Sequence, residues 1–193
     1  AVPAVILARP HEDPLNVFNG KIIRKVRIVL SPIFNGDDVG RVYRIVESAK
    51  TSTRESVIRR ELLIKEGDLF DAFVIRENER VLRTLKYLRN VSIVPTVDGD
   101  FVDLDVNVQD TWTLIPKVGY SSGDGTKKRF IGLAESDLLG YGKRFEVGYE
   151  ENDNRTVTQT VWEDPRLWGS DIRLMGAYLQ RNDGERSYFI LDS

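Results

Sequence analysis

The sequence predicts two architectures in tandem: an α+β domain of order β-α-α-β-β, with two helices on a three-stranded sheet, and then a run of antiparallel β-strands. Three observations carry this. Residues 101–109 alternate cleanly, Val102, Leu104, Val106 and Val108 against Asp103, Asp105 and Asn107. Residues 57–88 instead place apolar side chains at helical spacing. From about Thr111 that spacing stops, and alternating segments bounded by turn residues take over. Period 2 puts one residue set on one face of a sheet, and period 3.6 puts one on a helix stripe.

Residues 1–20 hold three of the seven prolines and no sustained period, so they read as an extension or linker. Residues 21–30 read as a half-buried strand, with Val26, Ile28 and Leu30 facing one way and Lys25 and Arg27 the other. A turn cluster (Pro32, Asn35, Gly36, Asp37, Asp38) follows, then a short helical stretch over Val42–Ala49. Ser52 and Glu55 have the spacing of a capping box, with Val57, Ile58 and Leu62 as the apolar stripe and Gly67 as the residue past the helix end. Asp71 caps the next helix, which presents Val81, Leu85 and Leu88 to the sheet and pairs Glu79 with Arg83 on a solvated face. Residues 91–97 form a strand containing Pro95, joined through Asp98-Gly99 to the strand 101–109. Proline cannot donate to a ladder, which places 91–97 at a sheet edge.

Beyond residue 110 the turn clusters are Ser121–Gly125, Leu139–Gly142, Glu151–Asn154, Asp164–Gly169 and Asn182–Gly184. Residues 143–151 alternate best, Phe145, Val147 and Tyr149 against Arg144, Glu146 and Glu150. Alternating segments of about 9–11 residues suit a membrane β-barrel. They suit a soluble up-and-down β protein equally, and periodicity does not separate the two. Trp112, Trp162 and Trp168 sit near strand ends, as an aromatic girdle or as core.

Composition excludes several kinds of chemistry. The chain has no Cys and one His, His11, so it offers no thiolate site, no histidine metal cluster and no Ser-His-Asp triad. The net charge of −2 shows no basic patch for nucleic acid. Gly140-Tyr141-Gly142-Lys143 lacks the remaining residues of a phosphate loop and reads as a tight turn. Asp103 and Asp105 are neighbours on a polar strand face, without the apolar pocket that a general acid needs. No catalytic residue, cofactor or metal site is expected.

Several stretches resemble a known family. Residues 53–71 (TRESVIRRELLIKEGDLFD) and 80–91 (RVLRTLKYLRNV) resemble a POTRA domain, the periplasmic module of outer-membrane barrel-assembly and two-partner-secretion proteins. Residues 135–143 (ESDLLGYGK) and 163–170 (EDPRLWGS) resemble the start of the barrel in the same bacterial surface antigen, or BamA-like, superfamily. The linker 31–50 is longer than in a usual POTRA repeat, and the family's later Val-Arg-Gly-Phe motif is lacking. The resemblance implies an extension over 1–20, a POTRA domain over 21–110, and the first strands of a partial outer-membrane β-barrel over 111–193. Five or six such strands can be counted, whereas a closed membrane barrel needs about eight, so the chain is expected to be a fragment of a longer protein.

The implied function is assembly or translocation of polypeptides at the outer membrane of a Gram-negative bacterium, with the POTRA part in the periplasm and without enzymatic chemistry. Implied partners are unfolded outer-membrane or secreted polypeptides, membrane lipid for the barrel part, and accessory lipoproteins. The excised strands are expected to self-associate. Client chains are expected to add as a strand at the edge Val91, Ser92, Ile93, Val94 and Thr96, with the strand 21–30 as the other candidate. Two alternatives are the transporter half of a patatin-like secreted lipase and a soluble periplasmic β-rich binding protein.

Overall fold

The computed structural model describes residues 13–33, 51–123 and 126–193. The expected helix over Val42–Ala49 lies outside the described residues. The first domain contains β1 (Ile22–Ser31), α1 (Glu55–Arg60), α2 (Ala72–Thr84), β2 (Leu88–Asp98) and β3 (Phe101–Asp110). Its sheet has the order β1-β3-β2, with β3 parallel to β1 and antiparallel to β2.

The central strand explains the core. Val102, Leu104, Val106 and Val108 of β3 are all buried, at most 2% exposed, beneath Val57, Ile58, Ile75 and Leu82 of the helices. On the opposite face Arg24 forms a two-pronged pair with Asp103 at 2.9 Å, and Arg27 pairs with Asp105 at 2.7 Å. A register shift between Ile23 and Lys25 lets both Ile23 and Val26 face the core. Strict alternation along 21–30 cannot anticipate that bulge.

Several local expectations are corrected. The helix start at Ser52 and Glu55 is not a capping box: Arg54 is the N-cap of α1 and makes no side-chain cap bond. The helix stops at Arg60, well before Gly67, whose left-handed turn (φ 95°) donates its N–H to Ile23 C=O. Asp71 does cap α2, accepting from the Phe73 and Val74 N–H groups. The buried stripe of α2 is Ala72, Ile75, Asn78, Glu79 and Leu82, not Val81, Leu85 and Leu88. Val81 and Leu85 are half-buried, Leu85 is the C-cap and packs at the margin of the core, and the buried Leu88 already belongs to β2. Part of the expected extension over residues 1–20 is folded onto the domain. Pro14–Phe18 form a 3-10 turn, Phe18 packs edge-on to Phe70 at 5.6 Å, and Asp13 pairs with Arg76 at 2.8 Å.

The second part is one six-stranded antiparallel meander of β4 (Leu114–Gly123), β5 (Thr126–Glu135), β6 (Arg144–Asn152), β7 (Thr156–Asp164), β8 (Arg173–Arg181) and β9 (Gly184–Asp192). Among the described residues the sheet is not closed, and β4 and β9 are its edges. Register assigns Pro116, Val118, Ile131, Leu133, Val147 and Tyr149 to one face. Lys117, Lys128, Arg144, Glu146 and Glu150 share the other, where Lys117–Glu146 and Lys128–Glu150 pair at 2.7 and 2.9 Å. One exposed apolar face and one charged face fit lipid outside and water inside.

Candidate functional site at the sheet edges and the domain junction

The expected binding edge is β2, and its backbone directions can be read from its bonds. Ile93 N–H donates to Glu79 Oε1 at 2.8 Å, and Val91 C=O accepts from Arg83 at 3.0 Å. Both bonds lead to α2, so Val91 and Ile93 turn their backbone polar groups away from β3. By alternation Pro95 and Val97 do the same. The missing donor of Pro95 therefore falls on the outward row, where a proline costs no ladder bond. Ser92, Val94 and Thr96 stand opposite Asn107, Asp105 and Asp103 and turn their backbone toward β3. The five expected residues thus divide. Val91 and Ile93 carry outward backbone groups, whereas Ser92, Val94 and Thr96 can offer only side chains on the open face of the sheet.

The β1 edge is covered in a similar way. Ile23 exchanges bonds with Asp68 C=O and Gly67 N–H, and Phe70 N–H donates to Lys21 C=O. Farther along, Val26 N–H donates to Glu66 Oε1 at 3.0 Å and Val26 C=O accepts from Arg59 at 3.2 Å.

The two parts of the chain meet where the β5–β6 and β7–β8 turns reach α1. Thr53 is 2% exposed, and its hydroxyl lies 2.6 Å from Asp110 at the end of β3 and 2.8 Å from Asp137 in the first turn. Arg54 N–H donates to Gly140 C=O at 3.0 Å, and its guanidinium lies 3.9 Å from the centre of the Tyr141 ring. A Cβ on Gly140 would sit 2.3 Å from the Ser52 carbonyl oxygen, so the approach requires glycine. The second turn touches α1 through Arg166, which pairs with the buried Glu61 at 3.1 Å. The two turns repeat one backbone form: Leu139 (φ 55°, ψ 26°) and Trp168 (φ 52°, ψ 26°) are both left-handed and both precede a positive-φ glycine. Trp168 is 94% exposed, whereas Trp162 lies half-buried beside Lys143.

The electrostatics are those of a framework. Burial, with the Glu61 carboxylate alongside, pushes the Tyr87 phenol above its ordinary range. Asp103 is held below the usual carboxylate range by its bonds to Arg24. A carboxylate stabilised in its charged form is the opposite of a general acid. Among the described residues no group of three or more His, Asp or Glu side chains is placed to hold a metal ion.

Comparison with known proteins decides the family. The family model described as POTRA, surface antigen variable number repeat, matches residues 43–110. The outer membrane protein assembly factor BamA of Nitratidesulfovibrio vulgaris is 42% identical over 151 residues, covering 72% of this chain and 18% of that protein. The BamA of Neorickettsia risticii is 27% identical over 150 residues, covering 76% of this chain and 20% of that protein. Among solved structures, BamA from Haemophilus ducreyi lacking POTRA domains 1–3 superposes with a TM-score of 0.59 at 20% identity, over 82% of this chain and 27% of that one. The chain is a BamA-like POTRA domain joined to barrel strands. CdiB from Acinetobacter baumannii shares the fold at a TM-score of 0.54 and 12% identity, over 84% of this chain and 28% of that one. The chain spans about a fifth of the length of these curated relatives.

The POTRA match begins after β1, and β1 nevertheless completes the three-stranded sheet. The sequence reading missed Glu79, Glu66 and Arg59 as edge-capping residues, and Thr53, Asp137 and Arg166 as junction residues. The Glu79–Arg83 spacing was the one available signal, but it reads equally as a surface pair. The junction residues fall inside the stretches 53–71, 135–143 and 163–170 that carry the family resemblance, but nothing local pairs them, because their partners are distant in sequence.

Proposed function

We propose that this chain is the membrane-adjacent POTRA domain and opening barrel strands of an outer-membrane protein that inserts or translocates unfolded polypeptides. The POTRA domain lies in the periplasm and binds client chains by strand addition at β2. The work is binding and guidance, without covalent chemistry, and accessory lipoproteins complete the machine.

The observation that carries this reading is the junction. A POTRA sheet is held by buried hydrogen bonds against the turns of a sheet with one apolar and one charged face. A client held at β2 is then held beside strands suited to the membrane. Strand addition uses main-chain bonds, which give affinity with little sequence selectivity and suit many unfolded clients. The exposed apolar face also disfavours the soluble binding-protein alternative, since contiguous apolar surface of this kind marks an interaction face.

The test is binding of an uncharged peptide of alternating apolar and polar residues to the chain in detergent. Val97→Pro removes an outward donor near the end of β2, and Val97→Ala keeps it. Loss of that bond is expected to weaken Val97→Pro by roughly 3- to 10-fold relative to Val97→Ala. Equal affinities would exclude strand addition at this edge.

A further inference from the structure

Both edges of the POTRA sheet are capped over part of their length by the same pairing of side chains. On β2 a carboxylate, Glu79, accepts the outward N–H of Ile93, and a guanidinium, Arg83, donates to the outward C=O of Val91. On β1 Glu66 and Arg59 do the same for the N–H and C=O of Val26. An added strand would offer a carbonyl to the first kind of group and an N–H to the second. The side chains therefore occupy the positions of a further strand. Unpaired edges invite pairing with any extended chain, and proteins blunt them with charge, proline or covering groups. Here β2 carries all three.

We infer that Glu79 and Arg83 form a latch on the β2 edge, and that a client strand binds the edge by displacing it. This rests on the strand-addition reading above. The two halves of the latch differ. Glu79 is only 5% exposed at its side chain and is held by Arg83 at 3.0 Å and Arg76 at 3.4 Å. Arg83 has a side chain 53% exposed, so it can leave Val91 for water with little loss. Among the described residues no hydrogen bond covers the outward groups of Pro95 and Val97. A client is thus received first at the Pro95–Val97 end and extends to Ile93 and then Val91 as Glu79 and Arg83 give way, the exposed Arg83 loosening its hold on Glu79. The latch also sets a threshold. A neighbouring copy of the domain, presenting its own capped edge, would have to open two latches to pair, and an unfolded client opens one.

The experiment measures affinity of the same alternating peptide for the full chain in detergent, in wild type, Arg83→Ala, Glu79→Gln and Val97→Pro. Arg83→Ala frees the Val91 carbonyl without touching the core and is expected to tighten binding by about 3- to 10-fold. Glu79→Gln keeps the shape and an acceptor for Ile93 but drops the charge that holds Arg83, and is expected to tighten binding less. Unchanged or weaker binding in Arg83→Ala, with Val97→Pro still harmful, would overturn the latch and leave strand addition standing. Binding that ignores Val97→Pro in every background would remove strand addition at β2, and the latch as its gate with it.

Discussion

The chain holds two sheets that treat their edges in opposite ways. In the POTRA domain both edges carry caps, β1 through the 67–70 segment with Glu66 and Arg59, and β2 through Glu79 and Arg83 at Ile93 and Val91, with Pro95 beyond them. In the barrel part β4 and β9 are edges, and all nine residues of β9 are exposed. The difference follows from solvent and closure. A POTRA sheet lives in water with permanent edges and must cover them with its own side chains. A barrel sheet removes its edges by closing on itself, and among the described residues no side-chain hydrogen bond caps the backbone of β4 or β9.

The largest expected effect tests that contrast directly. Withdrawing detergent from this chain is expected to convert it from monomer to assemblies through residues 114–193, because the apolar face and both open edges then meet water together. Sedimentation measures this, and restored detergent should reverse it. A monomer at high concentration in plain buffer would show that the barrel edges are protected as well.

Core substitutions separate the two parts next. Leu82 of α2 is fully buried in the POTRA core, and Leu82→Ala is expected to cost the POTRA domain about 2–5 kcal/mol in denaturant unfolding. Val118 is 81% exposed on the apolar barrel face, and Val118→Ala is expected to change stability in detergent by about 0.5 kcal/mol or less. A smaller effect at Leu82 than at Val118 would place the stabilising core in the wrong sheet.

The twin turns offer a finer comparison. Gly140 (φ 74°) abuts the Ser52 carbonyl, whereas Gly169 (φ 81°) has nothing within 4 Å of a would-be Cβ. Both Gly→Ala changes incur the left-handed cost of about 1–2 kcal/mol, and only Gly140→Ala adds a backbone clash of about 1–3 kcal/mol. Proteolysis between Thr111 and Thr113 is therefore expected to quicken in Gly140→Ala and not in Gly169→Ala. Equal rates would mean that the first turn does not clamp the POTRA domain.

The smallest effect is one of pH. The bonds from Arg76, with the Leu15 N–H, hold the Asp13 carboxyl at about 2, below its ordinary 3.8. A depressed carboxylate contributes its stabilisation above the unfolded value and loses it as pH falls through the folded one. Contact between Phe18 and Phe70, followed by NMR, is expected to persist at pH 5 and to loosen between about pH 4 and 2. Asp13→Asn should remove that dependence.

What was legible in the sequence, and what was not, follows the same physics. The β3 alternation and the change of pattern near Thr111 mark element type and the passage from one sheet to the next, because period 2 maps directly onto two faces. The Asp98-Gly99 turn and the Asp71 cap are local and were read correctly. Ser52 and Glu55 misled because Thr53 and Arg54 bond to Asp110, Asp137 and Gly140, so tertiary contacts replace the local cap. The α2 face misled because Asn78 and Glu79 are buried polar residues. Asn78 accepts the Leu63 N–H and Glu79 the Ile93 N–H, and neither adds to an apolar stripe. The edge itself was readable from Pro95, but its caps were not, since a carboxylate that seals a strand looks in sequence like any solvated helix charge.

Residue-resolved amide hydrogen exchange on the full chain in detergent tests the contrast between closed and open edges most directly. Ile93 and Val26 are edge residues whose N–H groups are bonded to Glu79 and Glu66. Their amides are expected to exchange as slowly as those of the central strand β3, while the outward amides of β4 and β9 exchange at least about tenfold faster. Ile93 and Val26 amides exchanging as fast as those of β9 would contradict the account, since the POTRA edges would then be as open as those of the barrel strands.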